Sequence, residues 1–92
     1  SSAISHQAAT LIHCSNLYNI PQQQEMGRLL IEVSGMDKAF FSNSGAEANE
    51  AAIKIARKYG NDKGIKNPTI IVMTSSFHGR TMATLTATGN TK

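Results

Sequence analysis

Two short stretches carry the residue types that could do chemistry: Asn43-Ser44-Gly45-Ala46-Glu47 and Phe77-His78-Gly79-Arg80-Thr81. In the first, Ser44 and Glu47 have the spacing of a capping box, the serine accepting from the Glu47 amide while the glutamate reaches back. On that structural reading Gly45 is merely small. A functional reading uses what the cap leaves over. The amides of Gly45 and Ala46 fall in a first helical turn, have no intrahelical acceptor and face outward at the positive end of the helix dipole. Bare amides beside a glycine suit a phosphate, whose oxygens can approach where no side chain obstructs them. No Gly-Lys-Ser/Thr follows and GxGxxG is absent, so this seat would hold one phosphate, not a triphosphate.

The second stretch offers companions. Phe77 can present a flat apolar face to a ring, and Arg80 can clamp a carboxylate through a bidentate pair. Each also has a plain reading: Phe77 as core, His78-Gly79 as a turn, Arg80 paired with a surface acid. Together, a phosphate seat, an aromatic face and a carboxylate clamp describe a site for a phosphorylated aromatic cofactor and an amino or keto acid. His6, His13, His78 and the single Cys14 show no metal-ligand spacing.

These groups must be held by regular elements, and the chain reads as an alternation of them. Residues 3–12 are expected to be helical, followed by the connecting segment "HCSNLYNIP" closed by Pro21. From Pro21 to Val33, Met26, Leu29, Leu30 and Val33 recur at helical spacing, and Gly35 stands where a helix ends. "KAFFSN" reads as a short buried strand. Residues 45–59 put Ala48, Ala51, Ala52, Ile55, Ala56 and Tyr59 on one helical face, with Gly60 as terminator and Arg57 and Lys58 near the C-terminal end of the dipole. After the loop "NDKGIKNP", "TIIVMT" has the composition of a strand covered on both faces. "SSFHGR" is a turn, and residues 81–88 could open a further helix despite four threonines. The expected fold class is α/β, in the order helix-helix-β-α-β-helix, with parallel strands joined by a right-handed crossover. Phosphate and clamp would then sit at the ends of neighbouring strands.

Two strands cannot complete such a sheet, and 92 residues make one small domain or a piece of a larger one. The chain opens at Ser1, without a methionine and only two residues ahead of an expected helix, so the ends read as cut and residues 1–92 as part of a larger cofactor-binding domain. The nine basic and six acidic residues are scattered, with no basic stripe or interleaved aromatics, which argues against nucleic acid as a partner. No signal peptide or membrane-spanning run is present. One cysteine excludes an internal disulfide and fits a reducing cytoplasm.

Three segments, "HCSNLYNIPQQQEMGRLL", "AFFSNSGAEANEAAIKIARKYG" and "SFHGRTMATLTATGNTK", closely resemble the acetylornithine aminotransferases, class III members of the fold-type-I pyridoxal phosphate enzymes. The pair "NSGAEANEAAIK" and "FHGRT" is specific to class III, and "SNLY" narrows the likeness towards acetylornithine and close relatives. The resemblance implies that the Gly45 and Ala46 amides, with Ser44 beside them, bind the phosphate of pyridoxal 5'-phosphate. It further implies that Phe77 stacks on the pyridine ring with His78 adjacent, and that Arg80 binds the substrate carboxylate. The implied reaction moves an amino group from N-acetylornithine to 2-oxoglutarate in arginine biosynthesis, in a cytoplasmic homodimer with active sites at the subunit interface. Ornithine, succinylornithine or 4-aminobutyrate as donor, and a non-catalytic fragment that binds a phosphate ligand or a partner chain, are the alternatives. The lysine that carries the cofactor and the aspartate that holds the pyridine nitrogen lie downstream in that family. None of Lys38, Lys54, Lys58, Lys63, Lys66 and Lys92 stands in that lysine's context.

Overall fold

Four helices make up the regular structure of residues 1–89, the part that the computed structural model describes: α1 (Ser2–Thr10), α2 (Pro21–Ser34), α3 (Gly45–Asp62) and α4 (Met82–Ala87). Lys92 and the end of "SFHGRTMATLTATGNTK" lie outside the described residues. The chain divides into two compact units, the first running from Ser1 to Ala39 and the second opening at Phe40.

In the first unit, α1 closes on its own side chains: Thr10 Oγ1 donates to the His6 carbonyl and Gln7 Nε2 to the Leu11 carbonyl, both at 2.9 Å. Gln22 Nε2 donates to Gln7 Oε1 at 3.0 Å, tying α2 to α1. Pro21 occupies the first turn of α2, where a missing N–H costs nothing. Gly35 ends the helix in the left-handed region at φ 70°, its amide donating to the Ile31 carbonyl at 3.0 Å. Both boundaries are those the sequence predicts. Arg28 bridges Glu25 at 2.8 Å and Glu32 at 2.9 Å on the exposed face. The Arg28 hydrogen bond and charge hold the Glu25 carboxyl below its usual range.

In the second unit, α3 begins at the expected residue but does not stop at Gly60; it runs on to Asp62. The stop is a Schellman closure just beyond. Ile65 N–H donates to the Gly60 carbonyl at 3.0 Å and Gly64 N–H to the Asn61 carbonyl at 2.9 Å, with Gly64 at φ 80°. Gly60 is glycine for a packing reason, since it is buried and a Cβ there would lie 2.7 Å from both Cβ and Cγ of Pro68. Arg57 and Lys58 therefore sit inside the helix rather than at its end, and Lys58 pairs with Asp62 at 3.0 Å.

The segments "KAFFSN" and "TIIVMT" are not strands: among the described residues no strand is present and no ladder hydrogen bond joins the two. The expected α/β arrangement is thus not formed here, and the architecture is helical. A strand needs a partner for its backbone groups, and a parallel strand needs cover on both faces. Neither is supplied. Ile71 is 92% exposed, Met73 78% and Phe40 70%. The apolar composition is as read; the surface it would be buried against is missing among the described residues.

Helix α4 forms in spite of its threonines, because two of them act as its cap. Thr81 is the N-cap, its amide donating to Thr84 Oγ1 at 3.0 Å, the returning half of a capping box, and the two hydroxyls lie 2.7 Å apart. Thr84 is fully buried and Ala87 nearly so, and α4 packs on α3. Small residues, Gly60, Gly79, Thr84 and Ala87, form the buried part of this unit.

Candidate functional site

The start of α3 has the predicted cap with one difference of register. Ser44 Oγ accepts from the Glu47 amide at 3.2 Å, while Glu47 Oε2 accepts from Asn43 N–H at 2.8 Å, one residue further back than the serine. The Gly45 and Ala46 amides have no acceptor among the described residues. Gly45 is exposed, and a Cβ added to it would meet nothing within 4 Å. The seat read from the sequence therefore exists as two uncommitted amides at an open helix start, with the Ser44 hydroxyl beside them.

The Phe77–Thr81 turn is built against that same start. Gly79 is buried at φ 133°, and a Cβ there would lie 2.6 Å from Thr84 Oγ1 and 2.9 Å from the Ala46 Cβ. Only glycine can take both that backbone angle and that approach. Thus Ala46, in the seat, and Gly79, in the turn, are direct neighbours. The His78 carbonyl accepts from Asn49 Nδ2 at 2.8 Å. Thr88 Oγ1 accepts from His78 N–H at 3.1 Å and donates to the Thr84 carbonyl at 2.9 Å, with the Gly79 carbonyl a second, longer acceptor at 3.2 Å. Upstream, Ser75 is held in the left-handed region at φ 59°, uncommon for a residue other than glycine.

Phe77 is not core: it is 65% exposed. Nor is Arg80 paired with a surface acid among the described residues. Its guanidinium instead lies over the Phe77 ring, 5.8 Å from the centroid, an exposed cation–π contact worth about 0.5–1 kcal/mol. The contact covers one face of the ring and leaves the guanidinium without a hydrogen-bond acceptor among the described residues. The half-buried His78 places Nδ1 3.4 Å from Ser76 Oγ. Ser44, Gly45, Phe77 and Arg80 make no hydrogen bonds to one another; what unites the two stretches is backbone packing at Ala46 and Gly79.

Sequence reading missed the residues that do this uniting, Asn49 and Glu50. Glu50 Oε1 accepts from the Thr81 hydroxyl, from Ala83 N–H at 3.2 Å and from Thr84 N–H at 3.4 Å. The Thr81 hydrogen bond, followed by those of the Thr84 and Ala83 amides and the charge of Lys54, holds the Glu50 carboxyl below its usual range despite some desolvation. Both residues lie inside "NSGAEANEAAIK", yet their partners are 29 to 34 positions away. No local signal could have found them.

The donor set suits pyridoxal phosphate: amides at an open helix start for a phosphate, an exposed aromatic face, and a guanidinium with no carboxylate partner among the described residues. Among the described residues no cluster of side chains could hold a metal ion, and no helix is long and apolar enough to cross a membrane.

Comparison with known proteins points the same way. A family model described as aminotransferase class-III matches residues 1–92. The acetylornithine aminotransferase of Nitrosomonas europaea is 64% identical over 90 residues, covering 98% of this chain and 23% of that protein. Acetylornithine aminotransferase 1 of Bordetella parapertussis is 61% identical over 98% of this chain and 23% of its own length. The Prochlorococcus marinus acetylornithine aminotransferase is 57% identical over 100% of this chain and 22% of its own. The chain thus spans less than a quarter of the length of these relatives. Matched along its whole length by one family model and at such identity to these proteins, it belongs to the class-III aminotransferases.

Proposed function

We propose that these residues are the phosphate-seat and carboxylate-clamp segment of a fold-type-I, pyridoxal phosphate-dependent transaminase that moves an amino group from N-acetylornithine to 2-oxoglutarate. The packing of Gly79 on Ala46 carries the reading, because it brings the Phe77–Arg80 turn against the helix start that bears the free amides. Identity to relatives named acetylornithine aminotransferase supports the donor.

In this reading the Gly45 and Ala46 amides and the Ser44 hydroxyl hold the phosphate. Charge-assisted bonds there draw on the positive end of the α3 dipole. Phe77 stacks against the cofactor ring with His78 at its border. Arg80 takes the substrate carboxylate bidentately, orienting the amino group towards the reacting carbon. Pyridoxal phosphate, when bound, supplies the electron sink for the reaction. The α/β sheet, the lysine that carries the cofactor, a homodimeric assembly and a cytoplasmic setting belong to the whole protein.

The test uses the full-length polypeptide carrying these residues, assayed for glutamate formation from N-acetylornithine and 2-oxoglutarate. Ornithine, succinylornithine and 4-aminobutyrate serve as competing donors. Arg80→Ala removes charge-assisted bonds worth about 3 kcal/mol, so KM for the carboxylate substrates rises on the order of 100-fold while cofactor absorbance persists. Unchanged kinetics would remove Arg80 from the site. A wild-type protein that binds pyridoxal phosphate yet forms no glutamate would favour a binding module instead.

A further inference from the structure

Asn49 and Glu50 are adjacent on α3, and between them they hold the backbone on both sides of Arg80. Asn49 Nδ2 donates to the carbonyl of His78, two residues before the arginine. Glu50 Oε1 accepts from the Thr81 hydroxyl immediately after it, and from the Ala83 and Thr84 amides of the first α4 turn. Arg80 itself is exposed, and its guanidinium rests on the Phe77 ring. The arginine thus has an exposed side chain on an anchored backbone. The anchor is the helix whose first turn bears the free amides of Gly45 and Ala46.

We propose that Asn49 and Glu50 are positioning residues for substrate carboxylate binding: they fix the base of Arg80 relative to the α3 N-terminus and so set where a carboxylate is held relative to the phosphate. This rests on the reading of Arg80 as the clamp. Neither residue touches substrate or cofactor. The cap on α4 alone would explain Glu50 as a stabiliser, but not why the neighbouring Asn49 engages the opposite side of the arginine.

The two roles separate on measurement in the full-length polypeptide. For Asn49→Ala and Glu50→Ala, KM for both 2-oxoglutarate and the amino donor should rise roughly ten- to 100-fold, the scale of a clamp displaced by up to about 1 Å. Pyridoxal phosphate affinity, read by titration of the apoprotein, should change less than about twofold, because the seat amides are untouched. Glu50→Gln keeps Oε1 as an acceptor and should recover most of the KM. Amide hydrogen exchange of residues 78–84 should accelerate in both alanine variants with that of 44–48 unchanged. Should Glu50→Ala not fold, Asn49→Ala carries the same comparison.

Unchanged KM in the alanine variants, or a loss confined to kcat and cofactor affinity, overturns the positioning role while the transaminase reading stands. A wild-type protein without transaminase activity overturns both.

Discussion

Substituting Gly79 by alanine should unseat the turn that joins the two halves of the site. The residue sits at φ 133°, where an L side chain is strained by about 1–3 kcal/mol. The new Cβ would also lie 2.6 Å from Thr84 Oγ1, 2.9 Å from the Ala46 Cβ and 3.0 Å from the Thr84 Cβ. Thr84 cannot swing aside freely: it is fully buried, and its Oγ1 accepts from Thr81 N–H at 3.0 Å as part of the α4 cap. Relief by overpacking costs about 1–3 kcal/mol, and relief by breaking the cap about 1 kcal/mol. The combined loss of strain and overpacking should be about 2–6 kcal/mol, towards the lower half of that range if the cap gives way instead, and a large share of the roughly 5–15 kcal/mol typical of a folded domain. Urea unfolding followed by far-ultraviolet circular dichroism measures it. Gly45→Ala is the matched control, since that position has neither a positive φ nor any atom within 4 Å of the added methyl. Its stability should be unchanged or raised by up to about 1 kcal/mol. A Gly79→Ala loss below about 0.5 kcal/mol, the range of surface changes, would refute the reasoning.

Other consequences follow from single contacts. The Glu50 carboxyl is lowered from an ordinary value of 4.5 by the Thr81 hydroxyl first and then by the α4 amides. Its stabilising contribution is therefore fully present above that value and lost as pH falls through the lower folded value. Helix content and amide protection at α4 should fall on acidification below about pH 4.5 and stay flat from about pH 6 to 8, with Glu50→Gln removing its share of the acid sensitivity. Gly60→Ala gains helix propensity of about 1 kcal/mol but drives a methyl to 2.7 Å from Pro68, an overpacking of about 1–3 kcal/mol. It should destabilise alone and much less in a Pro68→Gly background, which removes both contacting carbons, a double-mutant cycle in urea being the check.

Local chemistry is what the sequence by itself determined. Pro21 and Gly35 bound α2, and Ser44 with Glu47 caps α3, because each of these devices acts within four residues and needs no distant partner. The two motif stretches, and through them the family, were legible for the same reason. Tertiary structure decided everything that depends on a partner far along the chain. Gly60 is small because Pro68 arrives against it, so the helix passes through the glycine that looked like its end. Gly79 is buried because Ala46 and Thr84 close on it. Asn49 and Glu50, silent in the sequence, become the anchors of the Arg80 turn. The segments "KAFFSN" and "TIIVMT" mark the opposite limit. Their side chains have strand character, but a strand exists only by pairing and burial, and composition cannot supply the neighbour.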